Sequence, residues 1–371
     1  MVRASSLTEC KLCGAKDPLI SSQLGLCPSC ARNGGAEAVK IAQEVHAKVR
    51  ARLHLPERIP KDPKGVKCSL CSNECSIPEG GTGYCGLRRN VEGKLEHLAG
   101  IDVGLLYAYY DPLPTNCCAA WFCPGSKESG YNLAVFFYGC NFDCLFCQNA
   151  SHKNIIEGFT VTPRELAERA GFSVRCICYF GGSPEPQLPF ALKASQEAYH
   201  KAIKEERSLK ICWEWNGCGN KELVKKAAEL SLTTGGNIKF DLKARSPTLS
   251  IALSGVDNSR AYENFAMIAK ELYDKRPHDP VLTATTLLVP GYVDEDEVDS
   301  IASFIADLDA TIPYSLLIFY GAFAMKDLPV TPVSQVVSCY RAAKRHLENV
   351  HIGNLHLIGL SCMAEFKARL L

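Results

Sequence analysis

The sequence predicts an α/β fold: a partial (β/α)6 TIM-like barrel preceded by a small four-cysteine unit and a Cys-rich cap. Three observations predict it. Apolar strand-like runs alternate with amphipathic helical stretches from Tyr131 onward, the pattern of a parallel sheet with helices outside. Fourteen of the twenty cysteines fall within the first 150 residues, several as CxxC pairs. A chain of 371 residues that is 47% hydrophobic can bury the core such a barrel needs.

Taken in order, residues 1–35 carry Cys10-xx-Cys13 and Cys27-xx-Cys30 and end in the Asn33-Gly34-Gly35 turn. Two such knuckles put four sulfurs around one tetrahedral ion, a zinc-ribbon-like arrangement that lends folding energy to a segment too small for a core. Residues 36–56 read as an amphipathic helix with Val39, Ala42, Val45, Val49 and Leu53 on one face. Pro56, Pro60 and Pro63 end it, so residues 36–66 form a helix and linker.

Residues 67–130 are Gly- and Cys-rich, with few helical signals, and read as a compact cap. Cys68, Cys71, Cys75 and Cys85 form a second four-thiolate set, with the Gly80-Gly81-Thr82-Gly83 turn swinging Cys85 back to the others. Structural zinc or an auxiliary iron–sulfur cluster satisfies it equally. Cys117, Cys118 and Cys123 stand just before the first barrel strand, as ligands, a redox pair or plain buried thiols.

The barrel is expected over residues 131–360, followed by a tail at 361–371. Its strand-like runs are LAVFFYG, RCICYFGG, LKICWEWNG, NIKFDLK, VLTATTLLVPG, YSLLIFYG and VHIGN. The unusual residues cluster at the C-terminal ends of these runs, where barrel enzymes place their chemistry. Cys176, Cys178, Cys212 and Cys218 lie in or beside strands, where a small apolar residue fits the core.

Charge excludes little but directs expectation. Lys plus Arg total 41 against 40 Asp plus Glu, a net charge of +1, which gives no electrostatic footprint for nucleic acid or an anionic membrane. No apolar N-terminal stretch resembles a signal peptide and no run of about 18 apolar residues occurs. CxxC pairs in a chain expected to be cytosolic read as metal thiolates rather than disulfides.

The segment GCNFDCLFCQNA gives Cys140-xxx-Cys144-xx-Cys147 directly after the first barrel strand. Three thiolates at this spacing wrap one corner of a cubane cluster, which normally takes four. The missing fourth leaves one iron open to an exogenous group. On spacing alone, zinc with His152 or water as a fourth ligand also remains open.

FFYGCNFDCLFCQNA resembles the signature of radical S-adenosylmethionine (SAM) enzymes, in particular the branch related to the pyruvate formate-lyase activating enzyme. CSLCSNECSIPEGGTGYCGLRRNVEGKL, then Pro124-Gly125-Ser126, then the triad, is similar in order to the radical SAM member of the AmmeMemoRadiSam group. The resemblance covers residues 67–360 and leaves 1–35 outside.

The resemblance implies a [4Fe–4S] cluster on Cys140, Cys144 and Cys147, whose open iron binds the amino and carboxylate groups of SAM. An electron then breaks the sulfonium C5′–S bond, giving methionine and a hydrogen-abstracting 5′-deoxyadenosyl radical. Phe146 packs near the adenine. Gly181-Gly182-Ser183-Pro184-Glu185 stands in place of the family's GGEP motif, with Ser183 at the usual Glu position and Glu185 two residues on. Trp213-Glu214-Trp215-Asn216-Gly217 resembles WETNG, so Glu214 and Asn216 face the methionine or ribose part of SAM. Asp241-Leu242-Lys243 matches DLK, with Lys243 at the SAM carboxylate and both charged groups on the lumen side of their strand. Val289 and Pro290 contact adenine from the next strand end.

The leading expectation is therefore a radical SAM oxidoreductase of the activating-enzyme type, using SAM, a [4Fe–4S] cluster and zinc. Its substrate is a protein or peptide, docked through the N-terminal ribbon, or a small molecule. A flavodoxin- or ferredoxin-type donor supplies the electron. A non-catalytic zinc and iron–sulfur module for binding partners and an RNA-modifying enzyme are the alternatives, with nucleic acid disfavoured by charge and no membrane partner.

Overall fold

The computed structural model describes residues 7–115 and 117–371. Residues 1–6 of the N-terminal segment lie outside the described residues. Nine strands form one sheet: β1 (Gly104–Pro112), β2 (Tyr131–Phe137), β3 (Phe159–Val161), β4 (Val174–Tyr179), β5 (Lys210–Trp215), β6 (Ile238–Asp241), β7 (Leu282–Leu288), β8 (Tyr314–Ile318) and β9 (Val350–Gly353). Their order is β9-β8-β7-β6-β5-β4-β2-β1-β3. β2 and β4 through β9 run parallel, while β1 pairs antiparallel with β2 and with β3. The expected partial barrel is thus present, with a seventh parallel strand and an antiparallel extension at one edge.

That extension was not legible beforehand. β1 alternates over Leu106–Tyr109, with Leu106 and Ala108 buried and the more exposed Tyr107 and Tyr109 on the other face, but it sits inside a Gly- and Cys-rich stretch where few signals favour any element.

In the parallel strands alternate residues face the helices or the lumen. Phe137, Tyr179, Trp213 and Phe240 face the helices. Tyr179 stacks on Trp213 at 4.6 Å and on Phe137 at 5.7 Å, and Trp213 Nε1 donates to the Ala227 carbonyl of helix Lys221–Thr234 at 3.0 Å. Each ring so buried stabilises the fold by about 1.5–3 kcal/mol. With the apolar packing on that side, the lumen face is left to polar residues. Cys178 aligns with Cys212, Glu214 with Lys239, and Asp241 with Thr285 on neighbouring strands. The crossover helices start and stop at ordinary caps: Thr162 and Glu165 form a capping box, and Asn220 Oδ1 accepts from Glu222 and Leu223.

Helix α1 (Gly35–Ala51) precedes the barrel and buries Ala38, Ala42, Val45 and Val49, with His46 and Arg50 beside them. Val39 is half-buried, and Leu53 lies beyond the helix end. α1 packs on helix Pro247–Ser254, which follows β6. Ahead of it, a small hairpin pairs Thr8–Glu9 with Lys16–Asp17, and helix Pro28–Asn33 closes the four-cysteine unit. That unit docks on the loop after β7: the Tyr292 hydroxyl accepts from Ser21 N–H at 3.1 Å and donates to the Leu26 carbonyl at 2.7 Å. Among the described residues, no helix is long and apolar enough to cross a membrane.

Candidate functional site

The triad loop leaves the C-terminal end of β2 and opens on a cavity of about 210 Å³ at the top of the lumen. Cys140, Cys144 and Cys147 line it together. From β4, β5 and β6 come Gly181, Gly182, Ser183, Glu214, Asn216, Asp241 and Lys243, and Phe146 joins them from the loop itself. Eight residues expected from the sequence to contact SAM are therefore brought to one cavity with the three thiols.

The loop is fixed from below by a buried charge network. Asp143, between Cys140 and Cys144, is fully buried and pairs with Lys153 at 2.7 Å and His46 at 2.9 Å, with Arg50 at 3.7 Å. Burial alone would raise the Asp143 pKa, but Lys153, His46 and Arg50 hold it down at about 2. The His46 ring also reaches the Ala252 carbonyl at 3.1 Å, which ties α1 to the loop. Backbone N–H groups of Asp143 and Leu145 donate to Ser254 and Leu253 at 2.8 and 2.9 Å. Gly255 makes this approach feasible: its φ is +75°, and a Cβ there would meet His46 Nδ1 and the Tyr84 hydroxyl at 3.1 Å. Burial pushes the Cys140 and Cys147 thiols up, against the opposing charge of Lys153.

A second set of bonds joins the loop to the strand ends. Asn141 Oδ1 accepts from Asn216 Nδ2 at 2.8 Å, and Asn216 donates from Nδ2 and from its backbone N–H to Ser183 Oγ at 2.8 and 3.1 Å. Gly181, Gly182 and Ser183 take φ of +74°, +64° and +50°, and a Cβ on Gly182 would lie 1.8 Å from the Phe137 carbonyl oxygen. The double glycine is thus required for the turn itself. Ser183, a left-handed non-glycine residue, is held there by Asn216.

Asp241 and Lys243 form an ion pair on one side of their strand, as the alternation implies, and the Lys243 ammonium lies 5.6 Å from the centre of the Phe146 ring. Burial opposes the charge on Lys243, but Asp241 and Cys144 more than offset it. Burial pushes Glu214 up to about 7, with Lys239 pulling the other way.

Three expected contacts fall outside the cavity. Glu185 is fully buried behind it, where Oε1 accepts from Gly217 N–H at 2.7 Å and Oε2 has no partner, and burial raises its pKa to about 7. It braces the Asn216-Gly217 turn from behind. Val289 and Pro290 are buried at the β7 end, and the Gly291 that follows packs on Leu19 and Pro28 of the four-cysteine unit.

Residues missed from the sequence include Asn141, Asp143, Lys153, Thr285 and Lys239. Lys239 had a usable signal, since NIKFDLK puts it two residues before Asp241 on the same face. Asn141, Asp143 and Lys153 are joined only by the folded loop, and Thr285 by its register with Asp241 on the neighbouring strand.

The N-terminal quartet is compact: the Sγ atoms of Cys10, Cys13, Cys27 and Cys30 all lie within 4.8 Å of one another, with Cys13 and Cys27 at 3.8 Å. A tetrahedral zinc with Zn–S bonds of about 2.3 Å has sulfur–sulfur edges of about 3.8 Å. Among the described residues this is the one group of three or more candidate ligands so close. The Cys68, Cys71, Cys75 and Cys85 thiols line a smaller space of about 10 Å³ behind the Glu185 turn, with Arg88 beside them. His152, the alternative zinc ligand, lines the main cavity with Nδ1 on the Asn149 carbonyl and Nε2 without a partner, and burial lowers its pKa to about 4.

An open sheet with three thiols on the first βα loop defines a class before any comparison is made. Residues 134–304 match the family model of the Radical SAM superfamily. Those residues thus match a radical SAM domain, a family whose members use a [4Fe–4S] cluster and SAM. It is 26% identical over 304 residues to the uncharacterized protein MJ0808 of Methanocaldococcus jannaschii, covering 79% of this chain and 83% of that one. It is 22% identical over 239 residues to MJ1632 of the same organism, named a glycyl-radical enzyme activating enzyme, covering 63% and 82%. Among solved structures it is similar to Streptococcus suis SuiB bound to precursor peptide SuiA, at 16% identity and a TM-score of 0.43, over 60% of this chain and about half (48%) of that one. A domain of a pyruvate-formate lyase-activating enzyme from Bacteroides vulgatus overlaps at 15% identity and a TM-score of 0.36, over 48% and 98%.

The residues present fit such a cluster. Three thiols face one cavity with the polar strand-end residues, and the unpartnered Thr285 Oγ1 lies at its wall.

Proposed function

We propose that the chain is a radical SAM enzyme that reductively cleaves SAM and uses the 5′-deoxyadenosyl radical to abstract hydrogen from a protein or peptide. The observation that carries this reading is the single cavity shared by the three thiols and the ends of β4, β5 and β6. Cys140, Cys144 and Cys147 hold the cluster, and the site keeps one iron open for SAM. When bound, the cluster and SAM together supply the electron transfer and the radical.

This chain's residues bind, orient and exclude water. Lys243, paired with Asp241, presents an ammonium for the SAM carboxylate. Asn216, Ser183 and the Gly181-Gly182 carbonyls frame the amino and ribose groups, and Phe146 offers an apolar face to adenine. Glu214 lines the floor toward the substrate. A flavodoxin- or ferredoxin-type donor supplies the electron. The N-terminal quartet binds zinc, a reading its sulfur spacing supports, and the cap quartet binds zinc or an auxiliary cluster. A macromolecular substrate is supported by the relatives named activating enzymes, of whose length 82% and 88% are matched.

The test is anaerobic reconstitution with iron and sulfide, then dithionite and SAM, with 5′-deoxyadenosine measured. A fully loaded cluster that yields none would refute the reading in favour of a binding module. So would a single zinc held by the triad and His152 Nε2. Deuterium carried into 5′-deoxyadenosine from a labelled protein fraction, but not from labelled metabolites, separates the two substrate classes.

A further inference from the structure

Twenty cysteines are present, and the three motif sets take eleven of them. Of the nine left over, five line one space in the lower lumen: Cys117, Cys123, Cys176, Cys178 and Cys212. They come from three separate stretches. Cys176 and Cys178 are two apart on β4 and so share a face, Cys212 aligns with Cys178 on β5, and Cys117 and Cys123 belong to a plug that fills the strands' N-terminal end. The plug is anchored across the lumen, with Trp121 Nε1 donating to Ser315 Oγ at 3.0 Å and its ring stacked on His351 at 5.2 Å.

Cysteine as a small core filler explains one or two of these thiols, not an ammonium among them. Lys239 is 1% exposed and projects into the chamber, where Nζ donates to Asn237 Oδ1 at 3.2 Å and Cys178 Sγ at 3.5 Å. No carboxylate oxygen among the described residues lies within 4.0 Å of it. A buried cation with no carboxylate in contact costs several kcal/mol, and Glu214, the carboxylate that lines the same space, is itself pushed toward its neutral form by burial. Thiolates gathered on a metal ion would carry the missing negative charge, and soft sulfur selects zinc or an iron–sulfur core.

We propose that the lower lumen holds a further thiolate-bound metal centre, built from Cys117, Cys123, Cys178 and Cys212 with Cys176 adjacent and Lys239 as its outer-sphere counter-charge. Its sulfurs, like those of the triad, do not all lie within 4.8 Å of one another, so a lone ion would need them to close in while a cluster core would bridge a wider gap. The space already open among them is about 40 Å³. The centre does not depend on SAM cleavage, and its presence is read without it.

The full chain is isolated anaerobically, and iron, sulfide and zinc per chain are counted in a Cys140→Ala/Cys144→Ala/Cys147→Ala background, which removes the triad's iron. Adding Cys178→Ala/Cys212→Ala should remove about four iron and four sulfide, or one zinc if the centre is mononuclear, with far-UV circular dichroism unchanged. Cys123→Ala, on the plug outside the strands, should lower the same metal and keeps the test open if the double variant fails to fold. Unchanged iron, sulfide and zinc in a folded variant would overturn the proposal, whatever the outcome for SAM cleavage.

Discussion

The N-terminal quartet and the triad loop treat sulfur in opposite ways. In the quartet four thiols converge within 4.8 Å, and Cys10 and Cys27 also accept backbone N–H groups, from Cys27 at 3.2 Å and Cys30 at 3.4 Å. Its ligand shell closes on itself. The triad has three thiols, a wall of polar strand ends and an open cavity, and it is held in place by Asp143 and its cationic partners beneath. A closed shell stabilises its segment, whereas an incomplete one needs a scaffold to stabilise it and in return keeps a coordination position free. Ligand count, more than ligand chemistry, separates the two.

The largest effect expected from this contrast is on product formation. Cys144→Ala should abolish 5′-deoxyadenosine, while Cys13→Ala should leave it measurable and lower the temperature at which the N-terminal unit becomes protease-sensitive. Liquid chromatography of the reaction and limited proteolysis check the pair. Abolished cleavage in a folded Cys13→Ala protein with a loaded triad would break the comparison.

What the sequence made legible follows the same division. Both quartets, the triad and the order of parallel strands are carried by short spacings and by period-2 alternation, which local residues fix. Asp241 and Lys243 were placed on the lumen side by that alternation alone. The supports were not legible, because Asp143 meets His46 from 97 residues away and Asn141 meets Asn216 from 75. No periodicity encodes such pairs. The positions of Glu185 and Val289 outside the cavity were not legible for a related reason: a motif fixes their strand end but not how deeply each side chain is buried behind it.

Asp143→Asn sharpens the comparison from the other side. It leaves Lys153 and the Arg50 guanidinium, 3% and 1% exposed at their side chains, without their carboxylate. Breaking a buried pair in this way costs about 3–5 kcal/mol. Urea unfolding should register that loss, and the variant should retain less iron per chain than wild type at equal ribbon zinc. A stability within 1 kcal/mol of wild type, at ~0.6 kcal/mol per RT, would show the network to be incidental.

Glu185 gives a smaller effect with a defined sign. Its pKa is raised from 4.5 to about 7 by burial, so the folded state binds a proton that the unfolded state has already released. Stability from this group is full below pH 4.5 and falls as pH rises toward 7, by about 3 kcal/mol at 1.36 kcal/mol per unit. Glu185→Gln should remove that part of the slope, leaving the part that Glu214 contributes. Subtracting the two denaturation profiles cancels the thiol titrations they share. Parallel profiles would mean that Glu185 is charged in the fold and has a partner other than Gly217.

The smallest expected effect lies where the two regions meet. Arg32, at the end of the four-cysteine unit, pairs with Asp294 at 2.8 Å and Glu297 at 3.3 Å, and Glu297 Oε2 in turn accepts the N–H groups of Arg245 at 2.6 Å and Ser246 at 3.3 Å. Those two residues lie two and three positions after Lys243, so one side chain links the quartet to the strand end at the cavity. Glu297 keeps its backbone donors when Arg32 is removed, and the loss is two partly exposed ion pairs and the Arg32 hydrogen bond to the Tyr292 carbonyl. Arg32→Ala should therefore cost about 2 kcal/mol in docking the unit, seen as faster release of its zinc to a chelator, with SAM cleavage unchanged. A fall in the rate of 5′-deoxyadenosine formation without faster zinc release would reverse the assignment: the unit would then act on Lys243 through Glu297, and the closed shell would serve the open one as well as its own segment.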